Sequence, residues 1–262
     1  MRENRIRQRW AAGEAVINGW LAIPNAFCAE TMAHQGWDSL TLDMQHGVID
    51  YQAAVNMLTA ISTTATVPLV RVPWLDEGIV MKMLDAGAYG VICPMINSRA
   101  EAERFVAATR YPPQGIRSFG PIRALLYAGA DYAQRANDTV LALAMIETRQ
   151  ALDNLDEILA TPGLDGIYIG PADLSLALGC TPRFDQEEPA VVEAIEHILA
   201  RTKAHGLAAC IHNGTAGYAR RMLERGFDLV TIGSDARLMA SAAQQAIGEV
   251  RAASTTSTGS SY

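Results

Sequence analysis

Eight short apolar runs, each followed by a helical pattern, set the tightest limit on what this chain can become. The runs are NGWLAI (18–23), SLTLD (39–43), PLVRV (68–72), YGVICP (89–94), LALAMIE (141–147), GIYIG (166–170), LAACIH (207–212) and DLVTIG (228–233). Their apolarity is continuous rather than alternating, as parallel strands covered on both faces require. Asp50 stands where it can cap YQAAVNMLTAIST, and Asp76 where it can cap EGIVMKMLDAG, which stops at Gly87. Ser98 and Glu101 have capping-box spacing ahead of AERFVAATRY, which ends at Pro112 and Pro113. Further helical patterns cover 149–160, 187–205, 215–225 and 235–252. Eight such pairs predict an α/β fold, a (β/α)8 TIM barrel occupying 1–253 as one domain. A doubly wound open sheet is the alternative. It more often carries a Gly-rich phosphate turn after its first strand, and PNAFC (24–28) is not one.

The bulk numbers agree with one large enzyme-sized domain. The chain has 262 residues, half of them hydrophobic and 19% charged, so a sizeable core forms and disorder is confined to the ends. The tail STTSTGSSY (254–262) is read as disordered. A net charge of −7 gives no electrostatic footing for nucleic acid. The N-terminal MRENRIRQRW has no apolar h-region, and no apolar run approaches the roughly 20 residues that span a bilayer. A cytoplasmic protein with no membrane partner is expected. Cys28, Cys93, Cys180 and Cys210 are scattered, which fits reduced thiols rather than zinc ligands or a disulfide framework. The segment 112–138, between the fourth helix and the fifth strand, reads as an insertion serving as a lid or a subunit contact.

Chemistry in a barrel gathers at the C-terminal ends of its strands. The second run ends in Asp43-Met44-Gln45-His46, the third at Arg71, the fifth at Glu147 and the seventh at His212. The sixth runs into Gly170-Pro171-Ala172-Asp173 and the eighth into Gly233-Ser234-Asp235. Glu147 and Asp173, on adjacent strands, make an oxygen-rich pair suited to Mg²⁺ or Mn²⁺, with Co²⁺ as a further possibility. Two protein ligands leave positions for water and a chelating substrate. The competing reading makes each carboxylate a helix cap; it suits Asp173 better than Glu147, because an unpaired carboxylate in an apolar strand end is costly. His46, three residues after Asp43, forms with it a candidate general-base dyad. Arg71 either holds a developing enolate oxygen or closes an internal salt bridge to Asp43 or Glu147. The two lysines, Lys82 and Lys203, both fall in helical patterns, so a Schiff base inside the barrel has no donor.

These residues resemble the class II, metal-dependent pyruvate aldolases of the 4-hydroxy-2-oxoheptanedioate and 2-keto-3-deoxyglucarate aldolase family. The resemblance covers about Asn18 to Gln245. It rests on LDMQHG (42–47), PLVRVPW (68–74), MKMLDAGAYGVICPM (81–95), RYPPQGIR (110–117), IETRQALDNLDEILATPGLDGIYIGPADLSLALG (146–179) and VTIGSD (230–235). It implies reversible cleavage of 4-hydroxy-2-oxo acids to pyruvate, or a close analogue such as hydroxypyruvate, and an aldehyde, through an enolate held by the metal. It implies metal ligation by Glu147 and Asp173, His46 as base with Asp43 behind it, and Arg71 on the enolate oxygen. The backbone N–H groups of Ala172 and Asp173 would hold the substrate carboxylate. Asp85 resembles a residue that reaches a neighbouring subunit's site, and the family's oligomer is a hexamer.

Three places depart from the family pattern. Met44 and Gln45 replace the glycine and glutamate of D-G-E-H. V-Q-V-E becomes Ala144-Met145-Ile146-Glu147. His212 stands where an apolar residue is common. Gln45 and His212 are therefore expected to shape substrate binding at the mouth and to shift donor scope. Two other functions compete: an acyl-CoA lyase of the malyl or citramalyl type, which would use Arg117 and Arg123 for the nucleotide phosphates, and a non-catalytic barrel.

Overall fold

The computed structural model describes the backbone of residues 1–256 and the side chains of residues 1–252. Eight parallel strands close on themselves in sequence order: β1 (Val16–Leu21), β2 (Ser39–Asp43), β3 (Val67–Arg71), β4 (Gly90–Cys93), β5 (Leu141–Ile146), β6 (Gly166–Ile169), β7 (Ala208–Asn213) and β8 (Leu229–Ile232). The (β/α)8 barrel expected from the alternation of apolar runs is the observed fold. Along β5 the two faces separate by period two. Leu141, Leu143 and Met145 fill the barrel interior, while Ala142, Ala144 and Ile146 pack under the helices. Both faces are covered, which is why the sequence shows no alternation.

The helix starts follow the capping residues. Asp50 accepts the Ala53 N–H at 2.8 Å and Asp76 the Ile79 N–H at 2.9 Å. Ser98 accepts from Glu101 at 3.3 Å, and the Glu101 carboxylate returns to the Asn97 N–H rather than to that of Ser98. The single helix expected over 149–160 is two, Arg149–Asp153 and Leu155–Leu159. They meet at Asn154, whose amide reaches across to the Asn97 carbonyl at 2.8 Å.

The segment 112–138 is not a lid. Its helices Ile122–Ala128 and Tyr132–Thr139 pack at the N-terminal ends of the strands, where Ala124, Ala128 and Tyr132 join Ile6, Leu69, Tyr89 and Leu141. Arg123 there donates to the carbonyls of Leu58 and Ala86, at 2.9 and 2.6 Å, where two barrel helices end. Asn4 and the helix Arg5–Ala11 close the same end, with the Asn4 amide on the carbonyls of Tyr89 and Thr139. This end of the barrel is a packed plug; the opposite mouth is open.

The last helix runs Asp235–Thr256 and leaves Leu238, Met239 and Ile247 exposed. Of the segment expected as a tail, 254–256 continue this helix and 257–262 lie outside the described residues. Among the described residues no helix is long and apolar enough to cross a membrane.

Candidate active site

A cavity of about 260 Å³ opens at the C-terminal ends of the strands. Asp43, His46, Arg71, Ala172, Asp173 and His212 line it, as the strand-end reading expects.

Asp43 and Arg71 are register partners on β2 and β3. Arg71 donates to the carboxylate twice, Nε to Oδ1 at 2.9 Å and Nη2 to Oδ2 at 2.6 Å. Trp20 Nε1 donates to Oδ2 at 3.1 Å, and the backbone N–H groups of Gln45 and His46 donate to Oδ1 at 3.0 and 3.1 Å. Burial alone would raise the Asp43 carboxyl, but the hydrogen bonds and charge of Arg71, with the other donors, hold it below the usual carboxylate range. The internal salt bridge is thus realised, and Arg71 still faces the cavity.

The expected contact between Asp43 and the imidazole of His46 is absent. Five donors occupy the carboxylate, and the bond to His46 goes to its backbone N–H. Asp43 shapes the turn that carries His46, and the imidazole stands exposed at the mouth. Gln45 is not among the residues that line the cavity. Its Oε1 is buried without a partner among the described residues, so its side chain lies outside the cavity where substrate contact was expected.

Glu147 follows β5 and is 3% exposed. Its Oε1 accepts the Met95 N–H at 2.9 Å. Met95 adopts φ 56°, a left-handed conformation costing a non-glycine residue roughly 1–2 kcal/mol. The other oxygen lies against Gly170, where an added Cβ would collide with Oε2. Burial pushes this carboxyl up to about 7; the Asp173 charge acts the same way, while the Met95 N–H and Arg71 oppose it.

Asp173 occupies the first turn of the helix Pro171–Ala177 but does not cap it; Gly170 is the cap. Its exposed carboxylate makes no hydrogen bond or ion pair among the described residues. The first i→i−4 bond of this helix is Leu174 to Gly170, which leaves the Ala172 and Asp173 N–H groups outside the ladder. Two carboxylates, one buried without a full set of donors and one unpaired, fit a hard divalent cation that neutralises both. The narrow cradle at Gly170 admits a carboxylate only because the residue lacks a side chain.

His212 on β7 lies beneath an aromatic wall that the strand-end reading missed. Its ring is 4.9 Å from Trp20 and 4.8 Å from Phe184. Nδ1 shares a 3.2 Å hydrogen bond with the Tyr168 hydroxyl, which donates to Thr231 Oγ1 at 2.7 Å. Burial, with the Arg71 charge nearby, pushes the imidazole down to about 3, so it is neutral. Trp20 and Tyr168 read in the sequence as ordinary strand residues, and Phe184 lies in a loop. Arg237 was missed because it lies two residues past Asp235, where the strand-end reading stops.

Asp85 does not reach this mouth. It ends the helix Glu77–Asp85, which runs back toward the N-terminal ends of the strands, and it pairs with Arg117 Nη2 at 2.7 Å. Lys82 lies 4.0 Å from the Tyr51 ring and Lys203 pairs with Asp228 at 2.5 Å, both outside the cavity.

Comparison with known proteins identifies the family. Residues 17–242 match the family described as HpcH/HpaI aldolase/citrate lyase. The hydroxypyruvate/pyruvate aldolase of Rhizorhabdus wittichii is 46% identical over 249 residues, covering 95% of this chain and 99% of that protein. The 5-keto-4-deoxy-D-glucarate aldolase of Escherichia coli O6:H1 is 38% identical over 244 residues, covering 92% and 94%. A crystal structure of a family member from Burkholderia cenocepacia J2315 superposes with a TM-score of 0.88 at 34% identity, covering 95% of this chain and 99% of that one. The chain belongs to the HpcH/HpaI aldolase/citrate lyase family.

Proposed function

We propose that this protein is a class II aldolase that reversibly cleaves 4-hydroxy-2-oxo acids to an aldehyde and pyruvate or hydroxypyruvate. One observation carries the reading: the buried Glu147 carboxylate lies against Gly170, just behind the lining of a cavity without lysine, and feels the charge of the unpaired Asp173 carboxylate that lines it. The similarity to the Rhizorhabdus enzyme supports hydroxypyruvate or pyruvate as donor.

Glu147 and Asp173 hold a divalent cation, Mg²⁺ or Mn²⁺ by donor chemistry, with Co²⁺ as a substitute. When bound, that cation withdraws charge from the 2-oxo carbonyl. The N–H groups of Ala172 and Asp173 hold the substrate carboxylate at the opening of their helix. His46, whose imidazole is free at the mouth, takes the proton from C3 of the donor. Arg71, fixed in direction by Asp43, presents its guanidinium to the negative charge that develops on the enolate oxygen. Trp20, Phe184 and His212 keep the reacting carbons away from water. In cleavage the same groups act in reverse.

The acyl-CoA alternative loses its basic groove. Arg117 is buried against Asp85 and Tyr132, and Arg123 is engaged with helix-end carbonyls. Assembly with other copies is supported by the exposed apolar residues Phe119, Ile122, Leu126 and Met239; a hexamer in which Asp85 reaches a second subunit's mouth is what the family resemblance implies. The test of the function is pyruvate release from a panel of 4-hydroxy-2-oxo acids, with and without EDTA. Release that EDTA abolishes and Mg²⁺ or Mn²⁺ restores is expected; trapping of pyruvate on the protein by borohydride would overturn the reading.

A further inference from the structure

Arg237 stands in the first turn of the helix that follows β8, and it lines the cavity. Its guanidinium lies 4.7 Å from the centroid of the Phe184 ring and makes no ion pair or side-chain hydrogen bond among the described residues. Asp235, the closest carboxylate in sequence, is committed elsewhere. It is 3% exposed and accepts the N–H groups of Ala22 at 2.9 Å, Ile23 at 3.2 Å and Ala236 at 2.7 Å. Arg71, the other cation of the lining, is neutralised by Asp43. Of the two arginines in the lining, Arg237 is therefore the one that no carboxylate pairs among the described residues; the unpaired Asp173 carboxylate of the same lining is assigned to the cation.

The support beneath that charge is ordered. Phe184 packs on His212, and the His212 ring is tied through Tyr168 to Thr231 in the barrel interior. A guanidinium laid over an aromatic face keeps its N–H edge available, and that planar edge matches a carboxylate. We propose that Arg237 selects the acceptor, favouring aldehydes that end in a carboxylate, with Phe184 and His212 flanking the carbon chain. The inference rests on the aldolase reading above. In the reaction, C3 of the donor loses a proton and bonds to the aldehyde carbon, whose oxygen gains a proton; Arg237 binds the distal anion and exchanges neither electrons nor protons.

The test is aldol synthesis from pyruvate by the Mg²⁺- or Mn²⁺-loaded protein, with acceptors in matched pairs. Glyoxylate is compared with acetaldehyde, 4-oxobutanoate with butanal, and glyceraldehyde 3-phosphate with glyceraldehyde. The readout is the ratio of kcat/KM between the charged and the neutral member, which a general loss of fold does not move. Wild type is expected to favour the carboxylates. Arg237→Gln should lower that ratio about ten-fold or more, the scale of one charge-assisted hydrogen bond. Arg237→Lys should retain part of the ratio and Arg237→Glu should reverse it. A wild type indifferent to charge, a ratio unchanged in Arg237→Gln, or a preference confined to the phosphate would each overturn the proposal. If no acceptor reacts at all, the aldolase reading itself falls, and the inference with it.

Discussion

Arg71 holds Asp43 by both carboxylate oxygens, at 2.9 and 2.6 Å, with 4% of Asp43 and 8% of Arg71 exposed. The pair is a structural clamp and a chemical tool together. It fixes the direction of the guanidinium while Asp43 also turns the loop that carries His46 into the mouth.

Removing one member of this pair leaves the other buried and uncompensated. Asp43→Asn and Arg71→Met should each destabilise the protein by about 3–5 kcal/mol, the range found when a buried ion pair is broken. Urea denaturation of the metal-loaded protein measures this. Arg71→Met should also lower retro-aldol kcat by about 10²–10³, the loss typical of one donor to a developing oxyanion. Equal stability in all three proteins would remove the clamp.

Gly170→Ala tests the cradle. The glycine has φ −96°, which alanine adopts without strain, so the fold should survive. The added Cβ would displace Glu147 Oε2. Mn²⁺ affinity should fall about 10–100-fold, as when a metal ligand loses its support. Calorimetric titration of the metal-free protein measures it, and unchanged affinity would place the metal elsewhere.

The barrel was legible because strands buried on both faces must be apolar throughout, and β2 coincides with its run residue for residue. Boundaries slipped where side chains replace the ladder. The run at 18–23 becomes a strand over 16–21, because Ala22 and Ile23 give their N–H groups to Asp235. Asp43, Arg71 and Glu147 were legible because a charged group that ends an apolar run is costly unless it is paired or used. The partner of Asp43 was not, since spacing cannot say whether a carboxylate meets an imidazole or a backbone N–H. Phe184, in the connection between β6 and β7, and Arg237, past β8, are 53 positions apart and meet only because β7 and β8 are neighbours in the barrel.

His212 makes stability depend on pH. Its folded value of about 3 lies below the ordinary imidazole value of 6.5, so the unfolded chain binds the proton more readily. Stability should therefore fall as pH drops below about 6.5. In the metal-free protein Glu147 acts in the opposite sense: its folded value of about 7 exceeds its ordinary 4.5, so stability falls as pH rises between them. The two separate in a comparison of wild type with His212→Leu at saturating Mg²⁺, by urea midpoints from pH 7.5 to pH 5. The wild type should lose more stability on acidification. Parallel profiles would mean that the imidazole is protonated without cost.

The central claim is that His46 removes a proton from a donor bound beside Glu147 and Asp173. Proton removal needs no aldehyde, so exchange of the methyl protons of pyruvate for deuterium in D₂O, followed by NMR with Mg²⁺ or Mn²⁺ present, isolates it. Wild type should exchange readily, EDTA should stop the exchange, and His46→Ala should slow it by about 10²–10⁴-fold, the usual contribution of a placed general base. Mn²⁺ binding should persist in His46→Ala, since both carboxylates remain. Exchange at the wild-type rate by a His46→Ala protein that still binds Mn²⁺ would contradict the assignment of the base.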